Sequence, residues 1–393
     1  MLSAGNSGLN AATAKRGNAW LEISRSGFEA NLARLRAAIG PSVKLCAVMK
    51  ADAYGHGIAL LIGSVIRHKV ECVGFTSNEE ARIARTLGFR GQLARLRLAT
   101  PEEIEAGLRY DIEELVGNLD YAQDAARIAR SQRKRLRYHL ALNSAGMSRN
   151  GLEVGSPEGM AEALQILKLP DLHLAGIMTH FPVEEAADVR RSLATFNAQS
   201  AELIARGRLD AGKLLLHAAN SFATLEVPES RLGMVRTGGA LYGDTVPDRG
   251  YEPIATLKSE VAAICHYPAG NTVTYDRTYK LTRPSILANI PVGYSDGYRR
   301  VFSNGNVPPN PPVDSVVLIH GRKVPVVGRI TMNTFMVDVT DLDPGARIGD
   351  EVVLLGRQQG AEIRYDDLES LGKTIAADLY TVWGNSIPKI LVP

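Results

Sequence analysis

The sequence lacks the features that would point to a membrane or to a polyanionic partner. No run of about 18 apolar residues occurs in the 393 residues, so no segment is expected to span a bilayer. Basic and acidic residues nearly balance, with 45 Lys and Arg against 42 Asp and Glu. The formal net charge of +3 is too small to indicate nucleic acid or a membrane surface as a partner. Internal repeats and low-complexity tracts are also absent.

The N-terminal segment, residues 1–18, is rich in Ala, Ser, Gly and Asn and has no apolar stretch of the signal-peptide kind. We expect either a disordered lead or the remnant left after a signal was removed, and the sequence leaves both open. The whole chain, 45% hydrophobic, is long enough for two packed domains with separate cores.

Short apolar or β-branched runs recur along the first part of the chain, and segments with helical periodicity lie between most of them. Strands that alternate with helices indicate a parallel sheet, and eight of them within about two hundred residues indicate a closed (β/α)8 TIM barrel. We assign the barrel to residues 19–248. Its expected strands are 43–49, 70–75, 92–98, 112–117, 135–142, 172–179, 213–219 and 234–236.

From residue 249 to 393 the chain changes to alternating strands with Gly, Pro and Asn turns, which predicts a mostly β second domain. The early strand at 19–24 is a candidate to pair with this domain rather than with the barrel. The expected strands of the second domain are 261–264, 273–275, 286–290, 316–320, 324–327, 335–339 and 352–355.

Lys50 is the most informative residue, because it stands where an apolar strand opens into a turn bounded by glycine. Desolvation at such a position lowers the pKa of a lysine towards the neutral amine that attacks carbonyls. The alternative is a strand-end lysine whose ammonium extends into water. Active-site residues of a barrel gather at the carboxyl ends of the strands. The residues expected there suit an anionic, planar cofactor: Lys50, Arg97, Asn143, His180, Asn220, Ser221, Arg236, Gly238 and Gly239.

A set of motifs in fixed order resembles the alanine racemase family from about Trp20 to the C-terminus. The resemblance implies a fold-type III enzyme with pyridoxal 5'-phosphate as cofactor. The motifs are VMKADAYGHG (48–57), GIMTHF (176–181), HAANS (217–221), MVRTGGALYG (234–243), TVTYDRTY (272–279), PVGYSDGYRR (291–300), VVGRITMN (326–333) and IGDEVVLLG (348–356).

The resemblance also implies roles for individual residues. Lys50 would hold the cofactor covalently as a Schiff base, Arg149 would face its phenolic oxygen, His180 would lie near the ring, and Arg236 would bind the pyridine nitrogen. The residues implied around the cofactor phosphate are Tyr54, Asn220, Ser221, Gly238 and Tyr380. Residues implied to contact substrate are Asn143, Arg149, Tyr294, Met332 and Asn333. Tyr275 and Met332 would come from the second subunit of a homodimer.

The residue types fit racemisation on chemical grounds. An arginine does not give a proton to the pyridine nitrogen, so the ring stays neutral and racemisation is favoured over transamination. Inversion requires proton removal on one face and delivery on the other, and Lys50 and Tyr275 are the two candidate bases. The alternatives are an ordinary strand tyrosine for Tyr275, a surface salt bridge for Arg236 and a buried core histidine for His180.

Departures from the alanine racemase pattern bear on the substrate. Ala141 and Asn143 stand where alanine racemases have lysine and aspartate, and Asn333 replaces a second aspartate. With Arg95 and Arg97, these changes resemble the broad-specificity amino-acid racemases, periplasmic relatives that accept lysine and arginine. The lost lysine is often carbamylated in the family, so we expect a small anion such as chloride beside Arg149.

Cys46 and Cys72 fall on the first two barrel strands, and neighbouring strands lie about 4.8 Å apart, which is within reach of a disulfide. Two buried free thiols are the alternative and are usual in a cytoplasmic enzyme. Because the broad-specificity relatives are exported, we expect a disulfide, a free Cys265 and a periplasmic location.

The sequence therefore predicts a homodimeric, pyridoxal-phosphate-dependent racemase that interconverts L- and D-lysine, arginine, alanine and other non-acidic amino acids. The main alternative is a cytoplasmic alanine racemase that supplies D-alanine for the cell wall. A decarboxylase on the same barrel would place an acidic residue opposite the pyridine nitrogen, where this chain has Arg236. A barrel that only binds the cofactor would have no second domain. We expect no metal ion.

Overall fold

The computed structural model describes residues 17–245, 249–310 and 312–393. Residues 1–16 of the expected N-terminal lead, and residues 246–248 at the expected domain boundary, lie outside the described residues. Two compact units are present. One contains Phe28–Ala53 and Ile58–Glu252, and the other contains the described residues up to Gly27, Tyr54–Gly57 and Pro253–Pro393. No helix of the described chain is long and apolar enough to cross a membrane.

Strand β1 (Ala19–Ser24) and helix α1 (Arg25–Ile39) come first in the described chain. The barrel strands follow, all parallel, in the order β9-β2-β3-β4-β5-β6-β7-β8. They are β2 (Lys44–Val48), β3 (Cys72–Phe75), β4 (Gln92–Arg95), β5 (Ile112–Val116), β6 (Leu136–Ala141), β7 (Leu172–Met178), β8 (Leu215–His217) and β9 (Met234–Thr237). Backbone bonds from Gly233 N–H to Leu216 O (3.0 Å) and from Arg236 N–H to Ala219 O (2.9 Å) link β9 to β8. This confirms the predicted (β/α)8 barrel.

Helices connect the strands, and local sequence sets where several of them begin. Ser77 and Glu80 form a capping box at the start of α4, and Thr100 and Glu103 form another at α5 with Pro101 in the first turn. The elements that connect the barrel strands are α2 (Lys50–Tyr54), α3 (Ile58–Arg67), α4 (Asn78–Thr86), α5 (Pro101–Gly107), α6 (Leu119–Ser131), α7 (Pro157–Ile166), α8 (Ala186–Gly207), α9 (Ser221–Glu226) and α10 (Gly239–Tyr242). Of these, α2 is a left-handed turn.

The other unit is built on one sheet with the order β11-β14-β17-β16-β15-β18-β10-β1-β20, with β19 paired to β18. Strand β1 lies antiparallel to β10 and parallel to β20 in this sheet. The elements are β10 (Ala255–Glu260), β11 (Ala263–Tyr267), β12 (Thr272–Val273), β13 (Tyr279–Lys280), β14 (Ser285–Ile290), β15 (Val316–Ile319), β16 (Arg322–Val327), β17 (Phe335–Asp338), β18 (Glu351–Gln358), β19 (Ala361–Ile363), α11 (Tyr365–Gly372), α12 (Ala376–Ser386) and β20 (Lys389–Val392).

Two strand predictions in this unit are wrong in their bounds. The segment 261–264 straddles the connection between β10 and β11, because Val261 N–H bonds to Asp350 O outside the ladder. The segment 273–275 ends as a strand at Val273, since Thr274 has φ 56° and Tyr275–Arg277 form a short helical turn. Tyr275 therefore lies in a turn and not on a strand.

Candidate active site

Lys50 stands at the carboxyl end of β2 and opens α2. The residues after it, Ala51 to Tyr54, have φ values of 53°, 54°, 57° and 56°. A left-handed turn of four non-glycine residues is strained by roughly 1–2 kcal/mol per residue. Such a run persists only where its surroundings hold it. The peptide chain that carries the lysine is therefore held in an unusual conformation.

The charges around Lys50 favour its neutral amine. Partial burial lowers the pKa of Lys50, and the positive charges of Arg149 and Arg236 lower it further. The carboxylate of Glu80 acts in the opposite direction. The structure thus brings Lys50, Arg149 and Arg236 into one electrostatic environment, as the sequence predicts for a nucleophilic lysine.

Arg236 on β9 is buried and its guanidinium is held by several acceptors. Its Nη2 donates to Thr179 O (2.8 Å) and Ala218 O (3.1 Å), and it lies 3.2 Å from Nδ1 of His180. Burial lowers the pKa of Arg236 to about 10, which leaves it protonated at neutral pH. Burial and the charge of Arg236 lower the pKa of His180 to about 3, so this imidazole is neutral. The surface salt bridge considered for Arg236 is thereby excluded.

A buried chain of hydrogen bonds runs from Arg236 across the barrel strands. Arg236 Nη1 lies 2.7 Å from His217 Nδ1, and His217 Nε2 lies 2.9 Å from His139 Nδ1. His139 Nε2 lies 2.8 Å from a carboxylate oxygen of Glu113. The other oxygen of Glu113 pairs with Arg137 at 2.8 Å.

The direction of this chain follows from the guanidinium, which can only donate. His217 Nδ1 must then accept from Arg236, so His217 Nε2 carries the proton and donates to His139 Nδ1. His139 in turn donates from Nε2 to Glu113. Burial and the charge of Arg236 hold the pKa of His217 well below its ordinary value, in agreement with a neutral ring. Both histidines are thus fixed as one tautomer, and Glu113 balances the charge of Arg236 through them.

Ser221, the first residue of α9, lies beside Gly238 and Gly239 at the start of α10. The Oγ of Ser221 accepts from the N–H groups of Gly238 and Ala240, both at 3.1 Å. A Cβ on Gly239 would lie 1.8 Å from Oγ1 of Thr245 and 2.3 Å from Oδ1 of Asp244, so a side chain there would displace both groups. Backbone without side chains allows a phosphate to approach closely.

The amides of Asn220 and Asn143 are engaged by their own loops. Asn220 caps α9 by accepting from Ala223 N–H (2.9 Å) and donates to Glu184 (3.2 Å). Asn143 accepts from Ser148 N–H (2.7 Å) and donates to Glu153 (2.9 Å). These contacts order the loops that carry the two residues.

Arg149, which follows Ser148, makes no hydrogen bond or ion pair with any residue in the described ranges. Its guanidinium is exposed and acts on Lys50 and His180 through its charge. This agrees with the loss of the anionic group that the Ala141 substitution implies.

Arg95 does not lie where the sequence suggests. It is fully buried and pairs with Glu114 at 2.7 Å, and it donates to Asn78 and to Thr76 O. Arg97 pairs with Glu103 at 2.8 Å. Both arginines are therefore paired with carboxylates of the barrel unit and add no unpaired positive charge there.

The unit of the C-terminal sheet holds the other residues singled out from the sequence. Tyr275 is 67% exposed, Met332 54% and Tyr294 44%, while Asn333 donates to Ser295 Oγ at 2.9 Å. Tyr380 is buried in α12.

Tyr54 and Tyr380, both expected near the cofactor phosphate, lie together in that unit. The ring of Tyr54 packs against the ring of Tyr380, with centroids 6.1 Å apart. A Cβ on Gly55 would lie 2.3 Å from Tyr380 O, so glycine is needed for this approach.

Cys46 and Cys72 are paired in register on β2 and β3, as the sequence predicts. Both are free thiols in this structure, and the expected disulfide stays a prediction. A hydrogen bond from the Cys72 thiol to Cys46, together with burial, raises the pKa of Cys72, so the thiol form is favoured. The two side chains lie in the barrel interior with Ala94 and Met234.

Sequence reasoning missed Glu80, Glu113 and His139 and assigned no role to His217. A possible signal for the last three is that charged or imidazole side chains occur within strands of an otherwise apolar barrel. Glu80 carries the familiar signature of a helix start, which hides any second role.

Comparison with known proteins identifies the family. Residues 23–246 match the model "Alanine racemase, N-terminal domain", and residues 254–391 match "Alanine racemase, C-terminal domain". A broad specificity amino-acid racemase of Pseudomonas putida is 56% identical over 98% of this chain and 92% of its own. A lysine racemase of Proteus mirabilis is 46% identical over 95% and 90%. The alanine racemase structure of Clostridium difficile 630 superposes with a TM-score of 0.85 at 28% identity, over 96% of each chain. The chain belongs to the alanine racemase family and is an amino-acid racemase that depends on pyridoxal phosphate.

Proposed function

We propose that this racemase has a broad substrate range that includes lysine, arginine, alanine and other non-acidic amino acids. The observation that carries the proposal is at the carboxyl end of β6, where Ala141 and Asn143 replace a lysine and an aspartate of alanine racemases. The similarity to broad specificity racemases supports it.

The residues of the barrel fit pyridoxal phosphate. Lys50 has a lowered pKa, Arg236 is a buried donor held by fixed acceptors, and Ser221 places a hydroxyl beside the side-chain-free backbone of Gly238 and Gly239. When bound, the cofactor stabilises negative charge at the α-carbon of an attached amino acid. Lys50 would hold it covalently, Arg149 and His180 would face its ring, and Tyr54 and Tyr380 would serve its phosphate with Asn220.

Arg236 would act by remaining protonated. The guanidinium keeps its charge at neutral pH, and the chain through His217 and His139 to Glu113 holds it in one orientation. A donor with this fixed charge hydrogen-bonds a ring nitrogen without protonating it. The negative charge at the α-carbon would then be short-lived, because the carbon would quickly take up a proton from a nearby donor. This favours racemisation over transamination.

Two bases on opposite faces would move the proton, Lys50 on one and the partner subunit's Tyr275 on the other. The high exposure of Tyr275 and Met332 supports a homodimer in which they meet the second subunit. Asn143, Tyr294 and Asn333 would then line the substrate entrance.

We further infer a bound anion such as chloride beside Arg149, where the family's carbamylated lysine would otherwise supply charge. The support is that Arg149 has no carboxylate partner among the described residues. An anion at short range would neutralise the positive charge of this guanidinium.

Lysine and arginine should be racemised at rates within about tenfold of alanine, a difference of roughly 1.4 kcal/mol in activation free energy. A closed pocket excludes a long side chain by overlap, whereas an open one discriminates weakly. Aspartate and glutamate should not react. Chiral chromatography after incubation with each L-amino acid gives the rates.

Turnover of alanine alone, with lysine inert, would favour a strict alanine racemase. The double variant Ala141→Lys with Asn143→Asp restores the alanine racemase pattern and provides the matched comparison. It should lose lysine turnover while it keeps alanine turnover.

We also propose that the enzyme works in the periplasm, where Cys46 and Cys72 would form a disulfide. Their register on neighbouring parallel strands supports this. Protein exported to an oxidising compartment should show the two cysteines linked in non-reducing peptide mapping, with Cys265 alkylated. Three free thiols in that material would move the assignment to a cytoplasmic enzyme.

A further inference from the structure

We propose that Glu80 is a positioning residue for Lys50, whose carboxylate holds the left-handed turn that follows the lysine. The proposal rests on the proposed role of Lys50 as the amine that binds the cofactor. Glu80 lies in the first turn of α4 and is only 7% exposed. Buried carboxylates of this kind need several hydrogen-bond donors.

The turn after Lys50 requires an external support. Ala51, Asp52, Ala53 and Tyr54 all have φ between 53° and 57°, and none of them is glycine. Left-handed residues of this type occur singly in most proteins, because each is strained. A run of four that carries a functional lysine therefore needs contacts from neighbouring segments.

Glu80 supplies such a contact. Its Oε1 accepts from the N–H of Asp52 at 3.0 Å, inside the turn. Its Oε2 accepts from the N–H groups of Thr76 (2.8 Å) and Ser77 (3.0 Å), in the loop after β3. One carboxylate thus joins the end of β2 to the end of β3. Hydrogen bonds to an ionised acceptor are about twice as strong as neutral ones.

Asp52 extends the support to the next helix. Its Oδ1 accepts from the N–H of Ile58 at 2.8 Å, at the start of α3. The turn is therefore tied on one side to α4 through Glu80 and on the other to α3. Loss of the Glu80 contact would free the residues directly after Lys50.

The charge of Glu80 has a second consequence for Lys50. Arg149 and Arg236 both lower the pKa of the lysine, and Glu80 is the carboxylate that raises it. Removal of this charge would leave Lys50 with two cations nearby. The geometry and the charge of Glu80 thus act on the same residue.

Glu80 also belongs to the capping box of α4, which would be a purely structural role. Ser77 Oγ accepts from Glu80 N–H at 3.3 Å. Ser77→Ala removes this part of the box and leaves the Glu80 carboxylate free to bind Asp52 N–H. Glu80→Gln keeps the size of the side chain but offers one oxygen to the two loops instead of two. The pair of variants separates helix capping from support of the Lys50 turn.

Amide hydrogen exchange of the full chain, measured with and without pyridoxal phosphate, tests the proposal. In Glu80→Gln the Asp52 amide should exchange about tenfold to a hundredfold faster, which is the range for loss of one hydrogen bond to a charged group. The dissociation rate of the cofactor should rise by a similar factor. Ser77→Ala should change neither quantity by more than about twofold.

Equal effects of the two variants, or an unchanged Asp52 amide in Glu80→Gln, would overturn the proposal. If Glu80→Gln does not fold, the wild-type chain tests the proposal instead. Its Asp52 amide should exchange as slowly as those of Thr76 and Ser77, because all three donate to the Glu80 carboxylate. A fast wild-type Asp52 amide overturns the proposal as well. Borohydride trapping of the wild type on a lysine other than Lys50 would instead overturn the proposed function, while the exchange result would still report the Glu80 contact.

Discussion

Lys50→Ala is expected to abolish covalent attachment of pyridoxal phosphate and to lower racemisation by at least ~10⁴-fold. The variant loses both the amine that binds the cofactor and one of the two bases, and a single base alone contributes ~10²–10⁴-fold. The measurements are the visible absorption of the covalent link and chiral chromatography of alanine and lysine. Both signals should disappear together.

Lys44→Ala is the matched control, because Lys44 stands at the exposed start of the same strand and donates to Gln92 at 3.2 Å. It should bind cofactor and racemise as the wild type does. Borohydride reduction of the wild type followed by peptide mapping should place the cofactor on Lys50. A cofactor reduced onto another lysine would contradict the assignment.

The barrel was predictable because its strands are short, apolar and buried. In β3, for example, Cys72, Val73 and Phe75 are all at most 1% exposed, as in a parallel sheet covered on both faces. The same regularity gave the neighbouring register of Cys46 and Cys72. The helices α11 and α12 were not predicted, because they follow a long series of strands with turn signals.

The left-handed turn after Lys50 could not be predicted from its residues. Ala51 and Ala53 have no preference for positive φ and favour right-handed helix. Contacts from Glu80, 28 residues further along the chain, hold the turn. The residues next to Lys50 do not reveal a hydrogen bond to a residue so far away in the sequence.

Arg95 shows a related limit. Its position at the end of β4 suggests the active-site edge, yet its side chain pairs with Glu114 in the protein interior. Successive residues of a strand point to opposite faces, so a shift of one position along the strand decides whether a side chain faces the active site or the packed core. On β5, Glu113 binds His139 while the next residue, Glu114, binds Arg95. Sequence patterns of charge alone do not reveal which partner each carboxylate finds.

Tyr275→Phe is expected to lower racemisation by at least ~10²-fold and to do so asymmetrically. Removal of the phenol takes away one of two bases, and a base contributes ~10²–10⁴-fold. One enantiomer should still exchange its α-proton with solvent deuterium, because Lys50 remains. Mass spectrometry of each enantiomer after incubation in D2O measures the exchange. Near-wild-type racemisation in both directions would refute the two-base scheme.

Tyr267→Phe, at a half-exposed position of β11, is the control and should leave the rate unchanged. Mixing the Lys50→Ala and Tyr275→Phe proteins then tests whether the site is shared. If Lys50 works with the partner subunit's Tyr275, a mixed dimer contains one intact site, and random pairing should restore about one quarter of the wild-type rate. No recovery after verified subunit exchange would place both bases in one chain. Recovery near one quarter would require that the turn carrying Tyr275, 67% exposed in a single chain, completes the site of its partner.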